Sequence, residues 1–167
     1  ITDRLPFRKT AHDYSFEGLD GKPLNLKVYD GKAILVVNIA SLCGLTPQLE
    51  ALEALYQTYK DQGLIIIGVP SNDFAFQEPK SNEKIAEFCN AKFGITFPLA
   101  KKVHVIGPLA HPFYRWAFTR RGVFAVPMWN FHKILIKPNG KFAYSLPPVV
   151  QPMSWVMKKA IQKVLPK

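Results

Sequence analysis

The sequence has only two cysteines in 167 residues and no acidic side chain after Glu87. Two cysteines are too few for a disulfide scaffold or a cysteine-rich metal site, though they allow one disulfide or a redox pair. The four histidines, His12, His104, His111 and His132, lack metal-ligand spacing. His111, just ahead of Pro112, reads as a structural residue at a helix start. A phosphate-binding glycine loop, a dinucleotide fingerprint and a Gly-x-Ser-x-Gly elbow are all missing. Neither haem nor flavin is indicated. No apolar run approaches the roughly 20 residues that span a bilayer. The longest, Ala33 to Val37 and Leu64 to Ile67, are strand-length. Repeats, low-complexity tracts and linkers are also missing. One domain over 1–167 is expected, with 1–12 as an N-terminal extension.

What is present is uneven charge. Residues 1–87 hold 9 basic and all 12 acidic side chains; residues 88–167 hold 13 basic ones and no acid. Clustered cations invite a nucleic-acid reading, because they neutralise phosphates. Here they are scattered among Trp116, Phe118, Trp129 and Ile134 to Ile136, inside folded-looking sequence. Zinc spacing, a basic zipper and an RNA-binding aromatic signature are absent. No nucleic-acid partner is expected. A cationic surface for anionic substrates, thiols or lipid headgroups fits better.

The order of elements is legible. Segments 14–16 and 24–26 flank Asp20-Gly21 and predict a small hairpin. Ala33 to Ala40 is continuously apolar, as in a strand buried on both faces. Thr46 reads as an N-cap and Pro47 as the first residue of a helix carrying Leu49, Leu52, Leu55, Tyr56 and Tyr59 on one side. Gly63 stops it. Leu64 to Val69 is a second buried strand, completing a βαβ unit with a parallel pair. A helix over 82–92, capped by Ser81, places Ile85, Phe88 and Cys89 on one face. Another is expected over 108–118. Segments 131–137 and 141–145 flank Pro138-Asn139-Gly140 as an antiparallel hairpin. An amphipathic helix begins near Ser154, with Met157, Ile161, Val164 and Leu165 on its apolar side. A βαβ half followed by a ββα half is the thioredoxin-like α/β fold, with a central mixed sheet flanked by helices.

Cys43 lies between the first buried strand and its helix. Helix N-termini offer free N–H groups and partial positive charge, which favour an anionic, nucleophilic sulfur. The bland alternative is an inert buried thiol. Thr46 occupies the place where a disulfide oxidoreductase carries its second cysteine. Dithiol exchange through this motif is therefore disfavoured, and attack by a single cysteine on an oxidant remains.

The segment Val37 to Thr46 (VNIASLCGLT) resembles the active-site motif of the glutathione peroxidases. Val69 to Asn82 (VPSNDFAFQEPKSN), Phe93 to Pro98 (FGITFP) and Trp129-Asn130-Phe131 resemble three further motifs, in family order. The resemblance runs from about Tyr14 to Leu165. It implies a catalytic set of Cys43, Gln77, Trp129 and Asn130. An indole N–H and two amides are neutral donors suited to a thiolate and to the charge that develops on a peroxide oxygen. Read without the family, Trp129 is a core residue and the amides are turn formers. Cys89 by itself reads as a small apolar residue on the inner face of its helix. The family resemblance makes it a resolving cysteine of the thioredoxin-dependent, non-selenium branch. The implied cycle runs from a Cys43 sulfenic acid to a Cys43–Cys89 disulfide, then to reduction by an external thioredoxin-like dithiol or glutathione. Such a cysteine must travel, so the helix over 82–92 is expected to unwind partly during turnover. No resident cofactor or metal is implied.

The sequence departs from the family pattern in the second motif. Asp73 replaces a glutamine; an outward-facing turn or cap role is expected for it, because a carboxylate aimed at Cys43 would oppose negative charge there. Ala75-Phe76 replaces Gly-Gly, so the loop is expected to change shape for want of positive φ. The short segment between His111 and Trp129 resembles the monomeric members, which accept bulky lipid hydroperoxides. Trp116, Phe124, Val126, Pro127 and Met128 are expected to form an apolar rim or to belong to the core. A peripheral contact with an anionic membrane surface is compatible with the charge. A chain that begins at Ile1 is expected to be an exported, periplasmic protein whose signal peptide has been removed, or else a cytoplasmic one. The resemblance predicts a peroxidase of hydrogen peroxide and lipid hydroperoxides. A peroxide-sensing redox relay and a non-catalytic basic binding module are the alternatives.

Overall fold

The computed structural model describes residues 9–167. A small antiparallel hairpin, β1 (Ser15–Glu17) and β2 (Pro23–Asn25), precedes the main sheet. The sheet has the order β4-β3-β5-β6. Its first two strands, β3 (Ala33–Ile39) and β4 (Leu64–Pro70), are parallel and joined through α1 (Gln48–Tyr59). Its last two, β5 (Lys133–Ile136) and β6 (Phe142–Leu146), are antiparallel, and β5 also runs antiparallel to β3. Between the halves lie α2 (Asn82–Glu87) and α3 (Pro112–Arg121), and α4 (Trp155–Val164) follows β6. This is the thioredoxin-like α/β arrangement expected from the order of elements.

The continuous apolar run of β3 is explained by cover on both faces. Leu35, Val37 and Ile39 pack with Leu49, Leu52 and Leu55 of α1 and Met157 and Ile161 of α4. Ile34 and Val36 pack on the other face with Phe113, Trp116 and Ala117 of α3. Strand alternation thus sorts the helices into two layers. Cys43 and Cys89 belong to the same apolar cluster, that of α1 and α4.

Several local expectations are corrected. Thr46 is not the N-cap of α1. Its hydroxyl donates to the Ala40 carbonyl at 2.8 Å and accepts from the Cys43 N–H at 3.1 Å, so it clips the turn before the helix. α3 starts at Pro112 rather than at 108, with His111 as the cap: its Nδ1 accepts from the Phe113 N–H. The segment 82–92 is α-helical only to Glu87; Phe88–Lys92 is a π-turn. β5 begins at Lys133 rather than at 131, because Phe131 has φ of +68°. Trp116 is core rather than rim, its indole donating to the Lys9 carbonyl at 2.9 Å. The expected extension 1–12 falls partly outside the described residues. From residue 9 onward it is tied down, with Ala11 fully buried and its N–H donating to the Gly140 carbonyl.

Candidate active site

Three segments converge at the C-terminal end of β3. The Asn38 side chain donates to the Trp129 carbonyl at 3.0 Å, and its own carbonyl accepts from the Phe131 N–H at 2.6 Å. The Leu42 N–H donates to the Gln77 carbonyl at 3.0 Å. Asn130 Nδ2 donates to Gln77 Oε1 at 2.8 Å. Gln77, Trp129 and Asn130 are thereby tied to the segment that carries Cys43.

Cys43 sits in the turn between β3 and α1 and is 8% exposed. The Leu45 N–H donates to its Sγ at 3.3 Å. A backbone dipole therefore presents its positive end to the sulfur, as at other anion-accepting turns. Asn130 is fully buried, and its Oδ1 has no partner. Its amide hydrogen and the Gln77 carbonyl oxygen hold each other, leaving the Gln77 amide N–H groups as donors. The Trp129 ring lies 5.3 Å from that of Phe74. Donors without acceptor character, close to a thiol turn, suit chemistry in which negative charge passes from sulfur to oxygen.

The second-motif loop behaves differently from the expectation. Ala75 and Phe76 keep φ of +52° and +54°. The loop retains the left-handed backbone despite the lost glycines, at a strain cost of about 1–2 kcal/mol per residue. Flanking hydrogen bonds hold it: Gln77 N–H to the Phe74 carbonyl, and Glu78 N–H to Asn72 Oδ1. Asp73 is a turn clip, as expected, but it is turned inward. Its carboxylate accepts from the Val105 and Ile106 N–H groups at 2.7 and 3.2 Å and lies 2.6 Å from His104 Nδ1. Burial pushes this carboxyl up, but the His104 and backbone hydrogen bonds outweigh it and hold it below the usual range.

Three buried polar groups escaped the sequence reading. Glu78 is 1% exposed and accepts from the Ser41 hydroxyl at 2.6 Å. Burial raises its carboxyl above the usual range. Lys133, fully buried, donates to Gln48 Oε1 and to the carbonyls of Pro148 and Val150 at 2.7, 2.8 and 2.7 Å. Burial pushes its ammonium down to about 7. His132 accepts from the Met128 N–H through Nδ1 and lies 2.6 Å from the Ser145 hydroxyl through Nε2. Those partners fix the neutral Nε2–H tautomer.

Cys89 lies in the π-turn, 1% exposed. Burial, reinforced by the charge of Glu78, pushes its thiol up to about 12. In this conformation it is a protonated, shielded thiol. Both cysteines are free. Of the expected rim, Phe124 and Met128 are exposed, while Val126 and Pro127 line an apolar cavity of about 400 Å³ with Val105, Ile106 and Phe118. Among the described residues no cluster of three metal-ligating side chains occurs, and no helix is long and apolar enough to cross a membrane.

A parallel βαβ unit, an antiparallel ββα half and a cysteine at the first βα junction define a thioredoxin-fold protein built for single-thiol chemistry. The chain belongs to the glutathione peroxidase family, whose model matches residues 11–118. It is accordingly a peroxidase. It is similar to the glutathione peroxidase-like peroxiredoxin GPX5 of Chlamydomonas reinhardtii, 42% identical over 149 residues that cover 88% of this chain and 91% of that one. It is also similar to the hydroperoxy fatty acid reductase gpx1 of Synechocystis, 38% identical over 151 residues covering 86% and 89%. Among solved structures, Trgpx in apo form superposes with a TM-score of 0.71 at 30% identity, covering 93% of this chain and 97% of that one.

Proposed function

We propose that this peroxidase reduces hydrogen peroxide and fatty-acid or phospholipid hydroperoxides through Cys43, with Gln77, Trp129 and Asn130 as neutral donors and Cys89 as the resolving thiol. The Cys43 sulfur attacks the terminal oxygen of the hydroperoxide. The O–O bond breaks, and a protonated alcohol or water leaves. The resulting sulfenic acid loses its hydroxyl as water when Cys89 attacks, forming the disulfide. An external dithiol of thioredoxin type, or two glutathione molecules, restores both thiols by exchange. The reading rests above all on the Leu45 N–H aimed at Cys43 Sγ.

The lipid part of the proposal has two supports. One relative is named a hydroperoxy fatty acid reductase. In addition, Leu42, Phe76 and Met128, each next to a candidate site residue in sequence, are exposed apolar side chains. Glutathione and thioredoxin are told apart by turnover. The expected result is fast consumption of linoleic acid hydroperoxide with thioredoxin and thioredoxin reductase, slow consumption with glutathione, and none with Cys43→Ser. Equal rates with Cys89→Ser and the native chain would contradict the resolving role.

A further inference from the structure

The register of the sheet separates two poles. Lys133 stands beside Val37, near the end of β3 that leads to Cys43, whereas Ile136 stands beside Ile34 at the opposite end. The turn between β5 and β6 is therefore remote from the thiol. A cavity of about 420 Å³ opens at this far pole. Five cations line it: Lys9, Arg120, Arg121, Lys137 and Lys141. They come from three separate stretches of chain, and no carboxylate lines it among the described residues. The carboxylates in the vicinity have other partners: Asp13 accepts from the Thr10 N–H at 2.9 Å, and Asp30 lies 3.9 Å from His12.

We infer that this cavity is a binding site for a phosphate-bearing anion, separate from the peroxidase centre. Each cation taken alone has a local explanation. Arg120 and Arg121 end α3, where positive charge meets the helix dipole. Lys137 and Lys141 flank a hairpin turn, where solvated lysines are ordinary. Neither explanation accounts for their meeting in one concave site. Like charges gathered without a counter-ion repel one another, and only an anion in the cavity turns that repulsion into attraction.

The cavity is also organised beyond its charge. Arg120 Nη2 and the Trp116 indole both donate to the Lys9 carbonyl, at 2.7 and 2.9 Å, which fixes the backbone of the first segment against α3. Arg121 lies over the Phe142 ring, 5.1 Å from its centroid, and donates to the Arg120 carbonyl at 3.1 Å. A guanidinium held flat on a ring loses little freedom on binding, and its fork matches two phosphate oxygens. The lysines supply mobile point charges around it. Phosphate esters carry the charge density that such a set recognises, and both a soluble polyphosphate and a lipid headgroup present them.

The test uses the full chain and two triple variants with the same change in net charge. One removes the cavity cations (Arg121→Gln, Lys137→Gln, Lys141→Gln). The other removes exposed lysines elsewhere (Lys60→Gln, Lys84→Gln, Lys159→Gln). Calorimetric titration with pyrophosphate is expected to give saturable binding to one site. The cavity triple should weaken it by about tenfold or more, and the control triple should leave it nearly unchanged. Sedimentation with phosphatidylglycerol vesicles separates the sources. Vesicle binding lost only in the cavity triple assigns the headgroup, whereas pyrophosphate binding without vesicle binding assigns a soluble anion. Should Arg121→Gln disturb the Phe142 face, the Lys137→Gln, Lys141→Gln pair keeps the comparison intact. Peroxide reduction is expected to be unchanged in every variant. No saturable binding of either probe, or equal weakening by both triples, would overturn the inference.

Discussion

At the residue scale the most informative side chain is Glu78. It is a carboxylate almost wholly withdrawn from water, held by the Ser41 hydroxyl two residues before Cys43, and its charge helps to keep the Cys89 thiol protonated. Replacing it with glutamine keeps an oxygen for Ser41 and removes the charge. Cys89 should then ionise at lower pH. With Glu78→Gln, the pH profile of disulfide formation after a peroxide pulse is expected to move to lower pH, followed by quenched-flow mass analysis. A profile that stays in place would show that Glu78 acts only as a structural clip. The sign for stability is also fixed. A buried carboxyl raised above its unfolded value favours the fold below that value and opposes it as pH rises. Glu78→Gln should therefore unfold at higher urea than the native chain at neutral pH.

The residue scale is also where the sequence was least informative. Cys43, Gln77, Trp129 and Asn130 stood out because their motifs are contiguous in the chain. The Ser41–Glu78 and Lys133–Gln48 contacts join residues 37 and 85 positions apart. Local pattern carries no record of such pairing. Glu78 directly follows Gln77 and could be named from the motif, but not its burial. Cys89 could be named as well, but not the depth at which its thiol is held.

At the element scale the helix ends show what local chemistry can and cannot reveal. Ser81 and Ser154 cap α2 and α4 as expected, because an N-cap hydroxyl meets an N–H only two or three residues ahead. Thr46 has the same chemistry at hand but uses its hydroxyl on the turn around Cys43. The π-turn at Phe88–Lys92 is one turn long, too short to alter the apolar period that reveals a helix. The left-handed backbone at Ala75 and Phe76 survives through tertiary hydrogen bonds that residue preference cannot foretell. A π-turn is a weak point in a helix, and it is where a shielded Cys89 would have to be released. The segment that ends in β5 makes a separate prediction. Burial lowers the His132 imidazole from 6.5 to about 4. The unfolded chain takes up that proton near pH 6.5, and the folded one resists it. Stability should therefore be complete above pH 6.5 and fall as pH drops towards 4, by roughly 3 kcal/mol in all. Denaturant titrations at stepped pH measure this. His132→Gln should flatten the slope, and an unchanged slope would assign acid sensitivity to other groups.

At the scale of the whole molecule, the acid-free stretch after Glu87 does not mark a second domain. It supplies α3, β5, β6 and α4, which close both faces of the sheet that the first half begins. Its cations have several distinct uses. Lys102 binds the carbonyls of Glu78 and Lys80, Lys133 is sealed inside, Lys92 lies over the rings of Phe88 and Phe93, and four others line the far cavity with Lys9. The charge visible in the sequence is therefore divided between structural anchoring and a remote anion site. The peroxidase centre relies more on neutral donors and on the turn at Cys43.

The central claim is that Cys43 is the thiol that meets the peroxide and that Cys89, from the same apolar cluster, resolves it. The most direct measurement is to treat the reduced protein with one equivalent of hydrogen peroxide, alkylate it, and map the products by peptide mass spectrometry. The account predicts a single Cys43–Cys89 disulfide in the native chain, and a Cys43 sulfenic acid as the trapped species when Cys89 is serine. Peroxide consumed with Cys43 still alkylated as a free thiol would contradict it.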